Sequence, residues 1–299
     1  MSAVQSLRTA VDALSRNPVL FLGGLVYALV VLPQRALQLA AIPLAPAALQ
    51  LLTFFLTPFV VAGVVGLARE ALDGDASFGT FTETGTDRYV DLLLGTLVEL
   101  GIQLAFGIAF VVLALLAIVA VGGGSVGPVG ILGAALGVVL AIAYLVVLFL
   151  VQFYPVLVVV DGAGPVDAVT GSVAFVRSNV VSTLGYSVIT VLLGGLAALP
   201  VSGFVAYRFL TDGPGSGDAP GPIGGGTSPG GPGASGAPEF AELFAGGGLG
   251  LSTPEAVVLA LVSAATTALF FAFRHTYATA FYRRHGRSVE ERVLDDDWD

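Results

Sequence analysis

Long apolar runs alternate along this chain with short polar interruptions, and the two kinds of segment carry different periods. Six runs, at about 19–41, 47–68, 92–121, 129–160, 180–207 and 254–282, are long enough to cross a hydrocarbon core of about 30 Å at 1.5 Å per helical residue. Three interruptions are themselves helical in pattern. In residues 3–16, Val4, Leu7, Val11 and Leu14 recur at steps of three and four, which places them on one face of an amphipathic helix too short to span. Val166, Val169, Val173 and Val176 repeat the spacing ahead of the fifth run, and Phe78 and Phe81 begin it ahead of the third. The pattern predicts three interfacial helices, each leading into a hairpin of two spans.

The first and last of these helices correspond position by position. A shift of 162 residues superposes the four apolar positions and lays Asn17 on Asn179, while a shift of 88 lays Asp73-Gly74 on Asp161-Gly162. Such internal periodicity is the mark of a repeated supersecondary unit. The expected organisation is a single membrane domain of three units, 1–75, 76–162 and 163–287, followed by an acidic tail, 288–299. The third unit is interrupted by a loop at 211–250 built mostly of Gly, Pro, Ser and Ala, a composition with little to bury.

Composition agrees. A mean hydropathy of +0.92, with 56% hydrophobic and 11% charged residues, excludes a soluble domain, whose surface needs about a quarter of its residues charged. The fold class expected is therefore an all-α, polytopic bundle of about six transmembrane helices. Every basic residue is Arg, acids outnumber bases 21 to 12, and the chain closes on Asp295, Asp296, Asp297, Trp298 and Asp299, a balance suited to high salt. Arg8, Arg16, Arg69, Arg88, Arg177, Arg283, Arg284, Arg287 and Arg292 fall on the side of the termini, whereas Arg35 and Arg208 fall opposite. The positive-inside rule then puts both termini in the cytoplasm of a cell-membrane protein.

Chemistry is sparse. Zero Cys removes disulfides and thiolate catalysis, and two histidines ten residues apart, His275 and His285, lack a carboxylate at ligand spacing. Gly122–Gly127 satisfies GxGxxG and GxSxG, and Gly215–Asp218 satisfies GxGD, but none stands in the strand-turn-helix or paired intramembrane aspartate context its chemistry needs. No catalytic residue, metal or cofactor is expected, nor a nucleic-acid partner. The expected partners are membrane lipids and a membrane or cytoplasmic protein. Glu99 is the exception to the blandness, because a carboxylate within an apolar span costs about 2.5–3.5 kcal/mol unless it finds a partner. Arg274 lies at a matching depth from the end of the sixth span, and Gln103 one turn beyond Glu99 on the same face. A Glu99–Arg274 pair with Gln103 is the candidate polar site, read as a device that sets helix register or as part of a polar pathway that Gln38 and Gln152 extend; the remaining reading is a Glu99 that sits near the interface.

Tyr154, Pro155, Asp161, Gly162, Ala168, Ser172, Arg177 and Asn179 together resemble the signature of the membrane domain of glycerophosphoryl diester phosphodiesterases and related multi-pass bacterial and archaeal proteins. The segments NPVLFLGGLVYALVVLP and TFFLTPFVVAG are similar to a group of membrane proteins from halophilic archaea. The resemblance covers most of the chain outside 211–250 and implies a six-span helical domain. It carries over no catalytic residue, since the phosphodiesterase's metal and catalytic groups belong to a soluble domain without a counterpart in these residues. The function expected is that of a non-enzymatic membrane scaffold or accessory protein; the alternative is a small-solute transporter.

Overall fold

Hydrocarbon offers no partners to backbone N–H and C=O groups, so an apolar chain must satisfy them within its own helices. The computed structural model describes residues 3–39, 45–121, 128–212 and 253–296, and these fold as helices α1 (Ala3–Arg16), α2 (Val19–Leu39), α3 (Ala45–Asp73), α4 (Phe78–Asp87), α5 (Tyr89–Val121), α6 (Pro128–Val151), α7 (Tyr154–Val160), α8 (Pro165–Ser178), α9 (Val180–Asp212) and α10 (Thr253–Asp296). Five stretches are long and apolar enough to cross a membrane alone: Leu49–Asp73, Tyr89–Leu116, Gly130–Val160, Val180–Phe204 and Val257–Gly286. The start of α2 joins α1 in a further apolar pair bent by 91°. The protein is an all-α helical membrane bundle. The 211–250 loop, beyond its first two residues, lies outside the described residues, as do the glycine motifs at 122–127 and 215–218.

Most of the core lies toward one end. It gathers α1, the start of α2, the second half of α3, Phe81 of α4, Leu92 of α5, α7, α8, Tyr186 of α9 and residues 271–281 of α10. Helix α3 is its axis, with Val60, Val61, Ala62, Val64, Val65, Leu67 and Ala68 all buried. Small residues let neighbours approach this axis. A methyl group at Gly24 would stand 2.1 Å from the Ala268 carbonyl oxygen, and one at Gly66 2.5 Å from the Thr84 hydroxyl. Around Phe153, fully buried, the rings of Phe175, Tyr186 and Phe281 stand with centroids 5.0–5.6 Å away. The outer lengths of α5, α6 and α9 instead present Ile108, Leu116, Leu136, Leu145, Val191 and Leu196 outward.

Two details go beyond the pattern. The run at 129–160 is one candidate span, Gly130–Val160, whose helix is interrupted at 152–153. The apolar sequence of α7 serves protein packing, since Val156, Leu157, Val158 and Val159 are buried against α8, α3 and α5. The apolar stripe of α1 is only partly its buried face: Leu14 is buried and Leu7 packs against the core, but the two valines do not. Ala3, Ser6, Ala10, Ala13 and Leu14 face the bundle, while Val4 is 46% and Val11 51% exposed. Close approach to α10 and α3 selects the small residues, leaving the valines for the bilayer surface. Helix α8 turns the equivalent positions inward: Ala168, Ser172, Phe175 and Val176 are buried and stand 162 residues after Ser6, Ala10, Ala13 and Leu14.

Candidate functional site

Four helices bring polar side chains together at the edge of the packed end. Glu99 projects from α5 three residues after Thr96, so both share a helix face. Across the interface, Tyr154 opens α7, where Pro155 pre-sets the first turn. The Tyr154 hydroxyl stands 3.2 Å from Thr96 Oγ1 and also interacts with the Glu99 carboxylate. Gln103 Nε2 donates to Glu99 Oε1 at 3.4 Å. Gly95 makes room for the Tyr154 ring, whose Cε2 would lie 2.8 Å from a methyl group there.

Arg274 enters from α10. Its field acts on Glu99, Tyr154 and Tyr186 of α9. The expected Glu99–Arg274 pair is not an ion pair: the two act on each other only through the field, in a cluster with Tyr154 and Tyr186. Gln152 extends it at the α6–α7 break, accepting a hydrogen bond from Ser187 Oγ at 3.3 Å and donating to the Phe149 carbonyl at 2.9 Å. The side chain of Gln38 lies outside the described residues.

Tyr186 and Thr96 were not among the residues singled out from sequence, and Tyr154 was noted only as part of a signature. A signal did exist: a tyrosine in an apolar helix brings a hydroxyl that needs a partner where phenylalanine would not. Which residues would answer it was invisible, because the partners come from separate helices.

The remaining signature residues serve the backbone. Ser172, fully buried, donates to the Leu150 carbonyl at 2.8 Å and accepts from the Phe153 N–H at 3.1 Å, satisfying groups freed where α6 breaks. Gly162 has φ +68°, a conformation cheap only for glycine, and lies against the Arg88 guanidinium. The carboxylate of Asp161 accepts a hydrogen bond from the Tyr282 hydroxyl of α10. Asn179 caps locally, donating to the Phe175 carbonyl at 3.1 Å, and Arg177 is exposed. Asn17, at the position equivalent to Asn179, is buried and reaches further: Nδ2 donates to the Gly74 carbonyl at 3.1 Å and Oδ1 accepts from the Ala76 N–H at 2.8 Å.

A sequence family whose model matches residues 1–285, nearly the whole chain, is described as a domain of unknown function (DUF7847). The chain belongs to the DUF7847 family. For this member, no curated protein matches and no solved structure matches. Among the described residues of the DUF7847 fold, no three His, Asp or Glu side chains converge as a metal centre requires.

Proposed function

We propose that the protein is a non-enzymatic component of the cell membrane that holds lipid or a partner protein, with both termini in the cytoplasm. One observation carries this reading. Most of the packing lies toward one end, and the outer lengths of α5, α6 and α9 keep large apolar side chains exposed among the described residues. Faces of this kind are surfaces for lipid tails or other helices. The arginine distribution supports the orientation. The signature around Tyr154–Asn179 supports kinship with the phosphodiesterase membrane domain, and the acidic, lysine-free composition supports a salt-adapted source.

Purification from the native membrane in mild detergent at native salt, with mass spectrometry of what co-purifies, tests the proposal. A stoichiometric lipid class or a single protein partner is the expected result. A clean, unpartnered protein would overturn it.

A second reading, small-solute transport, draws on the cluster of Glu99, Gln103, Tyr154 and Arg274, since ionisable groups within membrane helices often line pathways. Flux into vesicles reconstituted with the protein, abolished by Glu99→Gln, would favour transport. Unchanged permeability would remove it.

A further inference from the structure

The two Asp-Gly turns that correspond at a shift of 88 residues converge on one helix. Asp73 ends α3 and Asp161 follows α7, and both meet α10 at neighbouring residues. Arg283 Nη2 donates to Asp73 Oδ1 at 2.8 Å, and its Nη1 donates to the Arg69 carbonyl at 3.2 Å. The Tyr282 hydroxyl donates to Asp161 Oδ2. Successive side chains of a helix point about 100° apart, so one pair of residues serves two turns at once.

Each turn is also gripped from a second side. Asn17, directly after α1, donates to the Gly74 carbonyl at 3.1 Å. Arg88, directly after α4, lies against Gly162, where a methyl group would stand 3.1 Å from Nη2. The turns are thus fixed points, and α10 is the element they hold.

These contacts lie at the rim of the packed end. Phe281, the residue before the pair, is fully buried, whereas the side chain of Arg283 is 21% exposed and that of Asp73 59%. Beyond the pair α10 runs on to Asp296, about 20 Å further at 1.5 Å per residue. A partly exposed ion pair contributes little by itself. Two contacts on one rigid helix act together, because while either holds it keeps the other within reach. Contacts of that strength do not build the core; they set the course of the helix where the core releases it.

We infer that Tyr282 and Arg283 form a two-point latch on the Asp161 and Asp73 turns, which fixes the angle at which α10 leaves the bundle and ties that angle to both turns. Either contact alone keeps the helix in place, and loss of both frees residues 284–296 to swing while the packed end stays folded. The latch holds independently of what the outer faces of the bundle bind.

The chain contains no cysteine, so introduced ones take spin labels at chosen positions. Asp75→Cys marks the first turn, Val166→Cys the second, and Arg287→Cys the helix one turn beyond the latch. Distances for the pairs 75/287 and 166/287, and for 75/166 as the reference within the packed end, are read by double electron–electron resonance on the full chain in lipid nanodiscs. Wild type should give a single narrow peak for every pair. Tyr282→Phe and Arg283→Gln should each keep it, and the two together should lose the single peak for 75/287 and 166/287 while 75/166 stays narrow. Arg283→Lys in the Tyr282→Phe background should restore the narrow peaks. Several distances to position 287 in wild type would overturn the latch without any variant needing to fold. Narrow peaks in the double variant would overturn it in favour of packing alone. Broadening of 75/166 along with the others would overturn it too, since the contacts would then hold the fold rather than the angle.

Discussion

Ser172 and Phe153 are joined by a hydrogen bond from the Phe153 backbone N–H to the Ser172 hydroxyl at 3.1 Å, and through it α8 holds the break between α6 and α7. The same hydroxyl donates to the Leu150 carbonyl at 2.8 Å. A broken helix inside a protein leaves backbone groups that no water reaches, and one serine satisfies one donor and one acceptor at once. Ser172→Ala should therefore destabilise the protein by about 1–3 kcal/mol, the cost of leaving buried polar groups unpaired. Thermal unfolding in detergent would show it; an unchanged midpoint would mean that the break is held by packing alone.

Asn17 and Asn179 are equivalent in sequence and unequal in structure. Asn17 bonds across the fold to Gly74 and Ala76, whereas Asn179 bonds to Phe175 and Ser178 within its own helix end. Asn17→Ala is expected to cost about 2 kcal/mol or more, and Asn179→Ala less than about 1 kcal/mol. Paired unfolding measurements check the order, and equal losses would contradict it.

Gly24 and Gly101 separate close packing from open helix surface. A methyl group at Gly24 meets the Ala268 carbonyl oxygen at 2.1 Å, and one at Gly101 meets nothing within 4 Å. Gly24→Ala should push α2 off α10 and lose folded yield in fluorescence-detected size exclusion. Gly101→Ala should be neutral or stabilising by up to about 1 kcal/mol, from helix propensity.

Ala10 and Val11 distinguish the buried face of α1 from the valine stripe. Enlarging Ala10 to Leu should cost about 1–3 kcal/mol by overpacking, because Ala10 is fully buried. Val11→Leu should leave stability within about 0.5 kcal/mol. The reverse ranking, again by thermal unfolding, would restore the stripe as the packed face.

Much of the fold was legible beforehand for a physical reason. A bilayer imposes one solvent and one thickness, so run length and charge placement alone yield the spans, and the polar breaks between them yield α1, α4 and α8. The deep carboxylate drew attention to itself because a charge there demands a partner, and counting residues from the helix ends put Arg274 at the right depth. Tyr186 and Thr96 escaped because matching depth says nothing of which helices stand side by side.

What the amino-acid sequence determined by itself was therefore the class: an all-helical membrane bundle, its surface helices, and the equivalence of α1 and α8 at a shift of 162 residues. Hydropathy and periodicity are local properties, and local properties suffice for that. Only the tertiary structure decided which face of α1 is buried, that the fourth apolar run ends in a helix given over to protein packing, and that Glu99 and Arg274 share a cluster with two tyrosines. Apolar side chains suit lipid and protein interiors equally well, so the choice between them is made by shape, at Gly24, Ala10 and Ser172, once the helices are in contact.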